Sequence, residues 1–412
     1  VRALKHILTL LVLLSCISFA QAVPGQLVSQ RLLKSLSQQE MKAFFKEHKI
    51  PSVMLPTHRG LSVYEVIYKT LYADSTEVRA SGLLYVPTGT AEAMPVLIYN
   101  HGTEICQERT FQGVGEQSIC LAFATDGYIV LCPDYVGVGQ GDRTQLYVHA
   151  PTEAGASVDM LIAVDSLLPQ LGAARSKQLF ISGYSQGGHA AMATHRLLQQ
   201  QYADRYPVTA SSPMSGPYDI ESTVYNERNK RYDYPGYLMF LLKSYYECNG
   251  AYQKMQNALK EPYSAVIPSL MDGSYPMEVI NSTLPDTAFR AVKDEFFLDF
   301  ERNKESAFRK YLAENNVYDW KPEAPVELCY CKGDEQVTYQ NSLTAYKTMR
   351  ANGSTKVELW RAGTKFKHVN CALFAVIYTK MFFDGFVHGH SGSHGPLGKR
   401  LLLNIGKLAV RP

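Results

Sequence analysis

The chain has 412 residues, 46% of them hydrophobic and 19% charged. That is enough apolar sequence for a large core, and it excludes the disordered, collagen-like and polytopic membrane classes. The formal net charge is +3 and no dense Lys/Arg run occurs, which excludes nucleic-acid binding through a basic surface.

Arg2 and Lys5 open an apolar stretch that ends in Ala20-Gln21-Ala22, the small-x-small pattern of an export signal cut after Ala22. The apolar run is short for a membrane span. Lipoprotein processing at Cys16 is the alternative, although Leu14 is large for it. The expected mature chain is 23–412, in a secreted or periplasmic location. Beyond Cys16 the cysteines are Cys106, Cys120, Cys132, Cys248, Cys329, Cys331 and Cys371. In an oxidising compartment one or more bridges are expected, with a pairing that sequence does not give. Cys329-x-Cys331 reads as two plain buried cysteines, because no second pair completes a zinc site.

Residues 31–48 read as a helical lead-in. The runs 61–72 and 77–87 read as an antiparallel pair around a polar turn. Short apolar runs at 94–103 and 127–137 end in Gly-containing loops, as buried parallel strands do, and 116–127 between them has helical spacing. An amphipathic helix is expected over 153–171, and strands at 179–182 and within 206–219. This alternation predicts a mainly parallel sheet flanked by helices. The rhythm breaks near Tyr218. From 218 to 321 the chain is helix-rich and crowded with tyrosine, and strands resume at 325–334 and 356–363, followed by a helix at 371–387. An insertion of this length between returning strands predicts a cap over a single core domain. His388, His390 and His394 sit in a Gly/Ser-rich tail that reads as a surface loop and not as a metal site.

The chemistry concentrates at Gly183-Tyr184-Ser185-Gln186-Gly187. G-x-S-x-G arises by chance in about one chain of this length in seven, so its context decides. Here a strand precedes it and small residues at helical spacing follow. That is the setting of a nucleophile elbow, a strained turn that lifts the serine hydroxyl off the sheet edge. Side chains at Gly183 and Gly187 would collide with such a turn. A glycine-cushioned junction with an idle serine is the plain alternative.

With "YNHGT", "PDYVGVG", "GDEQV" and the C-terminal histidine loop, this stretch resembles the α/β-hydrolase superfamily. More narrowly, nearly the whole mature sequence is similar to its secreted lipases and esterases. The resemblance implies an α/β-hydrolase fold: a mainly parallel sheet flanked by helices, with a helical cap inserted before the strand carrying the acid. It also implies a triad in the order Ser, Asp/Glu, His. Asp334, in the Gly-Asp turn after a strand, fits the acid, with Glu335 as a lesser substitute. His368, between the last strand and the last helix, fits the base. His189 lies one turn into the helix after Ser185, where packing or a cap contact is simpler, and His101 belongs to the His-Gly motif. Two backbone N–H groups must await the oxyanion. Gln186 supplies one, and similarity to His-Gly-x lipases gives Thr103 as the other, with Gly102 close behind. Gly137, Gly139 and Gly141 do not match G-x-G-x-x-G, so no nucleotide site is expected, and Asp134 reads as a loop stabiliser.

The expected function is a secreted serine hydrolase of carboxylic esters, lipid acyl esters first, working through an acyl-enzyme with no cofactor and no metal. An ester or lipid is the expected partner, with transient contact of the cap on a lipid surface. The alternatives are a peptidase or acyltransferase on the same scaffold, and a binding protein that keeps the fold without catalysis. No propeller-like repeat precedes the core, which weighs against an oligopeptidase.

Overall fold

The computed structural model describes residues 23–48, 57–105, 110–250 and 252–388. The export signal with its Cys16 alternative, together with Cys106, His390 and His394, lies outside the described residues.

Strands β1 (Leu27–Leu36), β2 (Leu61–Leu71) and β3 (Glu77–Pro87) run antiparallel at one side of the sheet. β5 (Ile129–Pro133) pairs antiparallel with β3 and parallel with β4 (Met94–Asn100). β6 (Arg175–Tyr184), β7 (Ala210–Met214), β8 (Val326–Cys331) and β9 (Val357–Gly363) continue in parallel on the other side of β4. The order is β1-β2-β3-β5-β4-β6-β7-β8-β9. The chain thus winds to both sides of β4. In open sheets of this kind, ligands bind at the carboxyl ends of the strands beside such a reversal.

The central strands are buried on both faces, which explains their continuous apolar runs. Alternate residues feed two cores. Leu97, Val130 and Phe180 join α2 (Glu116–Thr125) and α12 (His368–Val387) on one face. Val96, Leu131 and Ile181 meet α3 (Ala150–Leu167) and α4 (Gln186–Gln201) on the other. By length and composition α12 could cross a membrane, but most of it is buried against the sheet.

Two elements depart from the expectation. The 31–48 lead-in is split: β1 runs through Leu36 and α1 (Gln38–Glu47) begins only after Ser37. Ser37 caps that helix in a reciprocal box with Glu40. Leu27, Leu33 and Leu36 of β1 pack part-buried against the two cores, while Leu32 is exposed. The strand is mostly exposed and exists because β2 offers an unpaired edge. The helix expected over 153–171 starts earlier, at Ala150, and it is buried on nearly every side, not amphipathic. It is enclosed because the sheet lies under it and α4 beside it.

Between β7 and β8 lie six helices: α5 (Ile220–Glu227), α6 (Gly236–Cys248), α7 (Tyr263–Leu270), α8 (Met277–Thr283), α9 (Asp294–Arg302) and α10 (Ala307–Glu314). They hold a separate apolar cluster, with Met239, Leu242, Phe300 and Phe308 at its centre. Ile105, Tyr147 and Val148, from loops at the ends of the parallel strands, join that cluster. The insertion therefore sits over that end of the sheet. α11 (Gln340–Ala351) returns the chain to β9.

Candidate active site

Ser185 lies where β6 turns into α4. Its φ of 60° and ψ of −124° fall outside the regions a residue with a Cβ adopts without strain. The surroundings hold it there: its N–H donates to Met214 O at 3.1 Å, and its carbonyl accepts from Gly188 N at 2.9 Å. A Cβ at Gly183 would collide with the carbonyl oxygens of Gly187 and Asn100, and one at Gly187 with Asn100 O. The turn can close only on glycines. The Gln186 N–H opens α4 and has no helical carbonyl four residues back to bond, so it points outward from the turn.

Asp334 follows β8, and its side chain is almost fully buried. One carboxylate oxygen accepts from the Gln336 and Val337 N–H groups, at 3.1 and 2.8 Å. The other lies 2.8 Å from Nδ1 of His368. His368 is the first residue of α12. Its N–H donates to Glu335 Oε2 at 2.9 Å, its carbonyl accepts from the Tyr184 hydroxyl at 2.6 Å, and its ring lies 4.9 Å from that of Tyr184. Glu335 thus holds the start of the helix while Asp334 holds the ring. Because Nδ1 is engaged, Nε2 is the nitrogen left to face outward. His368 and Ser185 line the same cavity of about 900 Å³.

A disulfide between Cys331 and Cys371 ties the end of β8 to the first turn of α12. It joins positions three residues before Asp334 and three after His368. Cys329 is buried and stays outside the disulfide, so the reading of Cys329 and Cys331 as alike is corrected. Two residues apart on a strand, the two side chains share a face, but only Cys331 is close enough to α12 to bridge.

After β4, the His101 carbonyl accepts from the Tyr135 hydroxyl at 2.9 Å, and the two rings lie 4.4 Å apart. The Gly102 N–H donates to Glu116 Oε2 at 2.7 Å. A donor already spent on a carboxylate is not waiting for an oxyanion, which removes Gly102 from the donors considered. Thr103 remains: its hydroxyl lies 3.3 Å from that of Tyr147, and the residue lines the large cavity. Burial pushes the Tyr147 phenol well above its ordinary value and that of Tyr237 up to about 12. Both therefore stay protonated and uncharged at neutral pH.

His189 is fully buried and does more than pack. Nδ1 lies 2.8 Å from Glu153 Oε2 and Nε2 lies 2.8 Å from the Asn315 carbonyl, while Gln186 Nε2 donates to Glu153 Oε1 at 2.7 Å. This network escapes a sequence reading, because Glu153 lies within an alanine- and valine-rich helix with nothing to mark its partner. Asp134 accepts from Ser81 Oγ at 2.6 Å, and Ser81 in turn accepts from Gln140 N, so Asp134 holds the glycine-rich loop. A Cβ at Gly137 would run into the backbone at Thr144 and Gln145. Those glycines close a tight loop.

A profile of the secretory lipase family matches residues 104–376, about two thirds of the chain. The chain belongs to the secretory lipase family. The rice cell wall degrading esterase LipA from Xanthomonas oryzae superposes with a TM-score of 0.76 at 26% identity, covering 89% of this chain and 100% of that one. A structure from Legionella pneumophila gives 0.79 at 28% identity, with 89% and 100% covered. Candida antarctica lipase A in its closed state gives 0.70 at 15% identity, with 92% and 85% covered, a likeness of fold. No curated protein matches. The chain has the α/β-hydrolase fold, and family and neighbours together make it a hydrolase of the lipase/esterase class.

Proposed function

We propose that this member of the secretory lipase family is a serine hydrolase in which Ser185, His368 and Asp334 form a catalytic triad. The observation that carries the reading is the 2.8 Å bond from Asp334 to Nδ1 of a histidine that shares a cavity with a strained serine. Ser185 Oγ attacks the ester carbonyl carbon as Nε2 of His368 takes its proton. Asp334 keeps the ring oriented and stabilises the imidazolium. The carbonyl oxygen, now negative, is met by the N–H groups of Gln186 and Thr103. The tetrahedral species collapses, the alcohol leaves with the proton from His368, and an acyl group stays on Ser185. Water, deprotonated by the same imidazole, then releases the acid.

In this reading the six-helix insertion is a cap that walls the acyl side of the site, and its apolar lining suits a lipid-like ester. The Xanthomonas oryzae neighbour, a cell wall degrading esterase, supports ester cleavage over peptide cleavage. The secretory character of the family supports export, and the Ala20-Gln21-Ala22 pattern is the basis for a cut after Ala22. The test is labelling by a fluorophosphonate together with hydrolysis of nitrophenyl esters. Ser185→Ala is expected to abolish labelling and to lower kcat by about 10⁴-fold or more. Ester hydrolysis that persists in that variant sinks the assignment.

A further inference from the structure

We propose that the site is built for short acyl groups carried on a bulky alcohol with an apolar face, a specificity that rests on the serine-hydrolase reading above. Two cavities meet at Ser185. One, of about 120 Å³, runs beneath the insertion and is walled by Tyr147, Ile220, Leu238, Leu241 and Phe289, with the charged Glu227, Arg228 and Lys230 also in its lining. The other, of about 900 Å³, lies between the start of α2 and the first turns of α12. His368 lines the larger cavity and not the smaller.

That asymmetry assigns the two halves of the ester. When the acyl–oxygen bond breaks, the imidazole gives its proton to the departing alcohol oxygen, so the alcohol lies on the side His368 faces. The bond from Ser185 Oγ to the acyl carbon, already formed in the tetrahedral species, remains as that bond breaks, and the acyl chain is left in the smaller cavity. An apolar cavity of about 150 Å³ holds benzene, so one of 120 Å³ suits an alkyl chain of about four or five carbons.

The larger cavity has two unlike walls. Along α12, Val369 and Leu373 are 72% and 45% exposed, and Val376 and Ile377 continue the same stripe. Three of the large apolar side chains that stay exposed, Val369, Leu373 and Val114, gather at this one cavity. An alcohol with an apolar face would cover them. The rest of its lining is polar in part, with Glu104, Gln112 and Gln117.

The test uses the full protein and nitrophenyl esters of increasing acyl length. The expected kcat/KM peaks at about four to six carbons and has fallen by about tenfold or more at twelve. In a second arm, Leu373→Trp lowers kcat/KM for naphthyl butanoate about fivefold more than for ethyl butanoate. Hydrolysis that depends on Ser185 but peaks at twelve carbons or longer overturns the acyl assignment alone. An equal effect of Leu373→Trp on both butanoates overturns the alcohol assignment alone. Absence of Ser185-dependent hydrolysis of any ester overturns the serine-hydrolase reading, and this specificity with it.

Discussion

Two histidine–carboxylate pairs in this molecule have the same 2.8 Å spacing and opposite fates. In the pair His368–Asp334, one ring nitrogen is held and the other faces a cavity that contains a strained serine. In the pair His189–Glu153, both nitrogens are engaged, and the second is directed at a carbonyl oxygen that can only accept. In the reading proposed above, the first has a nitrogen left over to accept a proton. The second spends all its capacity on joining α3, α4 and the end of α10. A short distance between imidazole and carboxylate therefore identifies neither role. The role follows from where the remaining nitrogen points.

The comparison breaks most sharply on Asp334→Asn. That variant is expected to lose about 10⁴-fold in kcat through the wrong imidazole tautomer, with an unfolding midpoint close to the parent's. Equal losses of rate and stability would make this pair structural like the other. The bridge comes next, because it braces the first pair and not the second. Cys331→Ala with Cys371→Ala opens a closure spanning 40 residues, and about 4 kcal/mol of stability is expected to go with it. Urea titration measures the loss, and the ratio of kcat to its parent value shows whether the Asp334–His368 spacing loosens as well.

Glu153→Gln is expected to do the reverse of Asp334→Asn. Stability falls by about 3 kcal/mol because a buried imidazole loses its charged partner, while kcat changes by less than about tenfold. A collapse of kcat in a variant of parental stability would move Glu153 into the catalytic machinery. The smallest effect concerns Asp159, two turns along α3 from Glu153. Burial pushes its carboxyl from 3.8 up to about 7. The folded protein then holds a proton that the unfolded chain has released, so stability declines as pH rises from about 4 to 7 and stays lower above that. Asp159→Asn removes the penalty. It is expected to stabilise the protein at pH 8 relative to pH 4 by on the order of 2 kcal/mol, read from denaturation midpoints at the two pH values.

Much of this architecture was legible because it is written locally. The glycines beside Ser185 mark a turn whose backbone would otherwise clash, and the apolar runs of β4, β5 and β6 mark strands buried on both faces. The break in rhythm after Tyr218 marked the helical insertion for the same reason: six helices in succession leave no strand to detect. β1 was misread because its leucines suit a helix equally well, and only the unpaired edge of β2 settles the choice. The burial of α3 escaped because a helix's own spacing does not report how many neighbours enclose it.

The sequence by itself determined where a strained serine could stand and which residue types could serve it, since turn sterics and strand patterning act over a few residues. Only the tertiary structure decided which histidine keeps a free nitrogen, which cysteines join, that Gly102 is already spent on Glu116, and that two cavities of unequal size meet at Ser185. Those outcomes are meetings between residues distant along the chain. Nothing in the residues nearby encodes them until the sheet brings the carboxyl ends of its strands together.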